Sequence, residues 1–267
     1  MDSRLIDLAR NAGKILLSYR GKELNIQNKG GGSFNPVTDA DLKANELLQT
    51  ELSKYYSNDL ILSEENTNIP ADYSARVWMI DPLDGTSEFI HGGPLFGVHI
   101  ALCDNGTLQL GLVYTPVTDE LYYAEKDSGA YLQTPVGTQR LHVSDVEDLS
   151  HARMITRINR GYSRPEDTLV NQFQNPKIEL ACIGIKLGLI AQGKAEFNIH
   201  ANPKSHKWDT AAPQLILEEA GGKITDLSGQ PLDYTQAYTH WKNGFLASNG
   251  VLHEKVLEKI RENSFRL

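Results

Sequence analysis

Apolar residues first recur at helical spacing: Leu5, Leu8, Ala9, Ala12, Ile15 and Leu16, with Gly21 behind them as a stop signal. Residues 22–37 include Gly30, Gly31, Gly32, Ser33, Asn35 and Pro36 and predict a flexible loop. Thr38-Asp39-Ala40-Asp41 has the form of a capping box and opens a helix carried by Leu42, Leu47, Leu48 and Leu52. Two short apolar runs follow. Leu60–Leu62 delivers the chain to Ser63-Glu64-Glu65, and Val77–Ile80 delivers it to Asp81-Pro82-Leu83-Asp84-Gly85-Thr86.

From 95 to 133 the texture changes. Runs at 98–103, 110–114, 121–124 and 130–133 are β-rich and are separated by Asp104-Asn105-Gly106, Thr115-Pro116 and Asp127-Ser128-Gly129, the spacing of an antiparallel meander. Beyond about 150 strands and helices alternate. Strands are predicted at 153–157, 195–199 and 245–248, and helices at 165–174, 183–192, 209–220 (closed by Gly221-Gly222) and 251–262. The mixture predicts an α+β layered protein. Residues 1–267 read as one unit, with a seam near 150 that divides a 1–150 lobe from a smaller 151–267 lobe.

With 267 residues, 40% hydrophobic and 22% charged, the chain is ordinary globular material. Its 26 Lys+Arg against 34 Asp+Glu leave a formal charge of -8, which repels a phosphate backbone and argues against polymeric nucleic acid as the main partner. A small anionic substrate would need positive charge supplied locally. No apolar run approaches the roughly 18 residues of a membrane helix, and the 181–191 stretch is interrupted by Lys186, so no transmembrane segment is expected. The first ten residues lack the basic and then apolar regions of a signal peptide. Cys103 and Cys182 lie 79 residues apart in no CxxC pattern and are expected as two buried free thiols in a reducing cytoplasm.

Some motifs mislead. Gly188 to Lys194 matches the Gly-x4-Gly-Lys part of a P-loop, but Ala195 replaces the Ser/Thr and Leu189, Ile190 and Ala191 fill the loop; a helix end is expected. Asp39-Ala40-Asp41 resembles an aspartyl-phosphate motif but follows a polar glycine loop, not a buried strand. No HExxH or Gly-x-Ser-x-Gly occurs, so zinc hydrolase and serine esterase chemistry lack their parts. What remains is carboxylate. Glu64-Glu65 ends a strand 17 residues before Asp81, and adjacent strand ends would gather Glu64, Asp81 and Asp84 at one sheet edge. Such a cluster repels itself unless cations hold it, and oxygen-only ligands select Mg²⁺, Mn²⁺ or Ca²⁺. Trp208-Asp209-Thr210-Ala211-Ala212 is a second, distant piece. Asp209 reads as a helix N-cap or as a ligand, and a helix start also attracts phosphate.

Glu64-Glu65, Asp81-Pro82-Leu83-Asp84-Gly85-Thr86 and Trp208-Asp209-Thr210-Ala211-Ala212 closely resemble the signature segments of the inositol monophosphatase superfamily, and Asn35-Pro36-Val37-Thr38-Asp39-Ala40-Asp41 resembles its upstream segment. The resemblance covers nearly the whole chain. It implies an αβαβα layered sandwich and a lithium-sensitive, Mg²⁺-dependent phosphomonoesterase. Asp84-Gly85-Thr86-Ser87-Glu88-Phe89-Ile90 is more similar to the CysQ-type 3'(2'),5'-bisphosphate nucleotidases, since inositol monophosphatases usually carry Asn where Glu88 stands. Val98-His99-Ile100-Ala101-Leu102, Pro231-Leu232-Asp233-Tyr234 and Lys186 are also CysQ-like. Three segments depart. Cys182-Ile183-Gly184 stands for the usual Gly-Ser-Ser, Thr156-Arg157-Ile158-Asn159 for Ser-Arg-Ser-His, and Asn198-Ile199-His200 for Tyr-Pro-Arg. All three fall where the leaving group would sit.

By this resemblance Glu64, Asp81 and the Leu83 carbonyl hold one ion, and Asp81, Asp84 and Asp209 a second. Water activated by the metal attacks phosphorus in line. Asp41, Glu65 and Thr86 are the implied catalytic residues, Thr86 positioning the water with Asp41 orienting it; Asp41 also reads as the capping-box carboxylate. Glu64, Asp84, Gly85, Thr86, Lys186 and Asp209 with Leu83 form the implied substrate site, Gly85 and Thr86 through their N–H groups. The four ligand carboxylates carry -4 and a phosphate monoester about -2, so two or three Mg²⁺ ions bring the loaded site near neutrality. The implied substrate is adenosine 3',5'-bisphosphate, hydrolysed to AMP and phosphate, with inositol-1-phosphate or another sugar phosphate as the alternative. Monomer and homodimer both remain open.

Overall fold

The computed structural model describes residues 1–28, 36–66, 73, 75–158 and 167–264. Helix α1 (Ser3–Tyr19) forms on the expected apolar period, and Asp2 caps it by accepting from Arg4 N. Strands β1 (Ile26–Asn28) and β2 (Pro36–Thr38) then pair antiparallel, so the ends of the segment expected as loop are a strand pair. Gly30, Gly31, Gly32, Ser33 and Asn35 lie outside the described residues. Helix α2 (Asp39–Tyr55) opens with the Thr38/Asp41 capping box.

The chain continues through β3 (Leu60–Ser63), β4 (Arg76–Asp84), the short α3 (Thr86–Ile90), β5 (Gly97–Asp104), β6 (Thr107–Thr115), β7 (Glu120–Glu125), β8 (Ala130–Thr134) and β9 (Gly137–Arg140). It then runs through β10 (Met154–Thr156), α4 (Asp167–Val170), β11 (Lys177–Glu179), α5 (Ile183–Ala191), β12 (Phe197–His200), α6 (Lys207–Glu219), β13 (Lys223–Thr225), β14 (Phe245–Ser248) and α7 (His253–Ser264). Among the described residues one sheet has the order β3-β4-β5-β6-β7-β8-β9, with β3 and β4 parallel and the rest antiparallel. The other has the mixed order β11-β10-β12-β14-β13.

Side-chain alternation along β4 explains the layers. Trp78 and Ile80 face α1 and α2, whereas Val77 and Met79 face α5 and α6. A sheet covered on both faces needs apolar residues at every position, which is why the run reads as continuous. The α5/α6 core continues into Ile155, Ile224, Phe245 and Ala247 of the second sheet, and α7 covers that sheet's far face through Met154, Phe197 and Leu246. The order is αβαβα.

The structure also differs from the expected elements elsewhere. The helix expected over 165–174 is the four-residue α4, with 165 and 166 outside the described residues. Strands β9, β11 and β13 carry no apolar period of their own. Helix α6 begins at Lys207, two residues earlier than expected. Strand β4 runs on through Asp84, so the carboxylate motif is part of the strand.

Candidate active site

Parallel pairing of β3 and β4, with Ser63 opposite Ile80, sets Glu64 beside Asp81; the Glu64 N–H donates to the Ile80 carbonyl at 3.3 Å. In a regular strand Asp81 and Asp84 would point to opposite faces. The β4–β5 register breaks between them, from Asp81 opposite His99 to Asp84 opposite Gly97, and both carboxylates reach one cavity of about 300 Å³. Leu83 N donates back to Asp81 Oδ1 at 2.9 Å inside this irregularity.

Asp209 arrives from α6. It is not the N-cap: His206 holds that position, and Asp209, at N3, accepts from His206 N at 2.7 Å. Tyr234 and Trp241 brace the same helix start by bonding Thr210 Oγ1, each at 2.9 Å. Acceptor atoms of Glu64, Asp81 and Asp209 lie within 4.8 Å of one another.

Asp81 is 1% exposed, and burial together with Glu64, Asp84 and Asp209 pushes its carboxyl well above the usual carboxylate range. Asp84 goes the other way. Burial raises it, but His99, the Cys182 thiol and the Gly184 N–H outweigh that and hold it below the usual range. Cys182 Sγ donates to Asp84 Oδ2 at 2.8 Å and Gly184 N at 2.9 Å, while His99 Nε2 lies 3.1 Å away. Sequence reasoning gave these three residues no role. The His99 segment is visible in the sequence only as a family likeness and Cys182-Ile183-Gly184 only as a departure, because nothing local reports that residue 99 and residues 182–184 meet Asp84. Both cysteines are free and buried.

Asp41 does two jobs with two oxygens. Oδ2 accepts from Thr38 N at 2.8 Å and so caps α2, while Oδ1 accepts from Thr86 Oγ1 at 3.3 Å. Leu83, Gly85 and Thr86 line the cavity with the carboxylates; Glu65, half-buried, is not part of that wall. The same wall also holds Lys186, Thr156, Arg157, Asn198 and His200; Asn159 lies outside the described residues. Lys186 is only 2% exposed. Arg157 Nε donates to Asp167 at 2.9 Å, so much of its charge is engaged. Asn198 Oδ1 is buried with no hydrogen-bond partner among the described residues.

A buried carboxylate forced upward by three others is a site short of positive charge, and its donors are oxygens. The residues fit a hard divalent cation such as Mg²⁺. The model of the inositol monophosphatase family matches residues 1–264. The chain belongs to that family. It is 32% identical to an inositol-1-monophosphatase of Caulobacter vibrioides over 96% of this chain and 99% of the relative. It is 30% identical to a fructose-1,6-bisphosphatase/inositol-1-monophosphatase of Thermotoga maritima over 96% and 94%. A histidinol-phosphatase of Chlorobaculum parvum is 34% identical over 84% and 85%. Among solved structures, the Thermotoga maritima IMPase superposes with a TM-score of 0.83 at 29% identity, covering 98% of each chain. Family membership makes the protein a phosphomonoesterase for small phosphorylated substrates, of a family that uses Mg²⁺. Among the described residues no helix is long and apolar enough to cross a membrane.

Proposed function

We propose that this inositol monophosphatase family member is a 3'(2'),5'-bisphosphate nucleotidase that releases the 3'-phosphate of adenosine 3',5'-bisphosphate. One observation carries the reading: a nearly buried lysine, Lys186, on the wall of the carboxylate cavity. Its ammonium places positive charge on the cavity wall, where a second phosphate of the substrate can meet it. Arg157 lies on the same wall, and the unpartnered Asn198 Oδ1 suits a donor on a base or sugar.

Glu64, Asp81, Asp84, Asp209 and the Leu83 carbonyl are the groups that would hold Mg²⁺. When bound, Mg²⁺ supplies the positive charge that offsets these carboxylates and the phosphate, and lowers the proton affinity of the attacking water. With its hydroxyl hydrogen directed to the Leu83 carbonyl at 3.1 Å or to Asp41 Oδ1 at 3.3 Å, Thr86 Oγ1 keeps lone pairs free to accept a hydrogen bond from that water and fix its orientation. The N–H groups of Gly85 and Thr86 hold the phosphate. Glu65 acts in support from outside the cavity wall.

An inositol-1-phosphatase reading rests on the Caulobacter and Thermotoga relatives, whose names include that activity. Rates for adenosine 3',5'-bisphosphate, inositol-1-phosphate and fructose-1,6-bisphosphate at equal Mg²⁺ decide between them. The bisphosphate nucleotide should lead. Lys186→Ala should lower kcat/KM for it by roughly 10- to 100-fold, the worth of a charged hydrogen bond, with less than about threefold loss on inositol-1-phosphate. Li⁺ should inhibit in the presence of Mg²⁺. Preference for inositol-1-phosphate, or indifference of the nucleotide rate to Lys186→Ala, overturns the nucleotidase reading.

A further inference from the structure

Behind the Asp84 carboxylate lies a second donor set of different chemistry. Acceptor and donor atoms of Asp84, His99 and Cys182 come within 4.8 Å of one another, one oxygen, one nitrogen and one sulfur. Cys182 and His99 are fully buried, and Asp84 keeps one side on the cavity. Among the described residues neither ring nitrogen of His99 has an aligned hydrogen-bond partner, although Nε2 is 3.1 Å from Asp84 Oδ2. Two groups at that distance that do not point at each other suit a third atom placed between them. Around four-coordinate Zn²⁺, with bonds of about 2.0–2.3 Å, neighbouring donors are separated by roughly 3.3–3.6 Å. The 2.8 Å Cys182–Asp84 and 3.1 Å His99–Asp84 separations need only a small expansion to reach this.

Residue 184 is part of the construction. A Cβ there would meet His99 Nε2 at 2.2 Å, so glycine is what admits the imidazole beside Asp84. Mixed nitrogen, sulfur and oxygen donors favour a borderline-soft ion over Mg²⁺, which prefers oxygen and octahedral coordination.

We propose that Asp84, His99 and Cys182 form a Zn²⁺ site, entered from the cavity past Asp84, that competes with the hard-metal site for the Asp84 carboxylate. His99 binds through Nε2 in its Nδ1–H tautomer. The ion replaces the Cys182 thiol proton, which passes to water in the cavity; only the S–H bond breaks, and no electron is transferred. A water from the cavity completes the fourth position. Resting on the phosphatase reading, the consequence is that Zn²⁺ inhibits Mg²⁺-dependent hydrolysis by engaging Asp84, and added Mg²⁺ relieves the inhibition.

The test uses the intact chain in limiting Mg²⁺ with Co²⁺ as a spectroscopic stand-in for Zn²⁺. A thiolate-to-metal charge-transfer absorption should appear and be chased by Zn²⁺. Cys182→Ser and His99→Gln should each weaken Zn²⁺ binding by more than about tenfold. Cys103→Ser should keep the absorption. Gly184→Ala, which leaves every ligand in place, should abolish it; this variant and His99→Gln keep the test open if Cys182→Ser fails to fold. Absence of the absorption in the wild type, or its survival in Cys182→Ser, overturns the site. Zn²⁺ inhibition, measured against each variant's own uninhibited rate, should be relieved in the same three variants. If the absorption behaves as stated but no phosphomonoester is hydrolysed, the site stands and the phosphatase reading falls.

Discussion

Repulsion among the cavity's carboxylates falls mainly on Asp81, which is buried among Glu64, Asp84 and Asp209 and pushed upward by all three. Asp84 escapes because Cys182, Gly184 and His99 compensate its charge. The two aspartates should therefore answer differently to loss of charge. Asp81→Asn keeps an acceptor for Leu83 N and should stabilise the metal-free protein, seen as a higher Tm in chelator. Asp84→Asn should show no such gain, because the amide loses charge-assisted hydrogen bonds. Both should lose turnover in Mg²⁺ by orders of magnitude. A rise in Tm for Asp84→Asn and none for Asp81→Asn would reverse this assignment. Thr86→Val removes the hydroxyl held by Asp41; kcat should fall by about 10²- to 10⁴-fold with Tm little changed.

At the scale of elements, α6 carries Asp209 while packing on the central strands. A Cβ at Gly111 of β6 would meet the Ala212 carbonyl oxygen at 2.5 Å and its Cα at 3.1 Å, both backbone atoms of α6. Neither can swing aside, so Gly111→Ala must push the helix off the sheet, costing about 1–3 kcal/mol. The displaced helix also moves Asp209 from Glu64 and Asp81, so the Mg²⁺ concentration for half-maximal rate should rise with the fall in Tm. A stability loss with an unchanged Mg²⁺ requirement would separate the helix position from the site. Lys207 anchors the same helix start from inside. Its Nζ donates to the carbonyls of Tyr234 and Gln236 and lies 3.7 Å from the Tyr73 ring centroid, and burial lowers its pKa to about 8.

For the whole molecule, acid stability is set partly far from the cavity. His253, at the start of α7, lies between Thr225 Oγ1 and Ser248 Oγ, each 2.9 Å from a ring nitrogen, and joins α7 to β13 and β14. Burial, helped by Lys223, lowers its pKa from 6.5 to about 4. The folded state thus binds fewer protons than the unfolded state between those values. The stability this residue contributes is present above about pH 6.5 and is lost as pH falls toward 4. Relative to His253→Gln, the wild type should lose Tm progressively across that window; parallel Tm–pH curves would show that His253 is not the responsible group.

What the sequence determined by itself was local. The Thr38–Asp41 capping box, the apolar run of β4, the meander turns and the end of α5 where a P-loop was dismissed all depend on residues a few positions apart. Periodicity and capping report such neighbours directly. The family resemblance named Glu64, Asp81, Asp84 and Asp209 as a set, but their division into a Glu64–Asp81–Asp209 group and an Asp84–His99–Cys182 group belongs to the tertiary structure. It arises from a register break in β4 and from the arrival of Cys182 beside Asp84, 98 residues along the chain. Three-residue strands such as β11 and β13 were illegible for the same reason. Their hydrogen bonds are made to partners remote in sequence, so the free energy that forms them leaves little trace in their own residues.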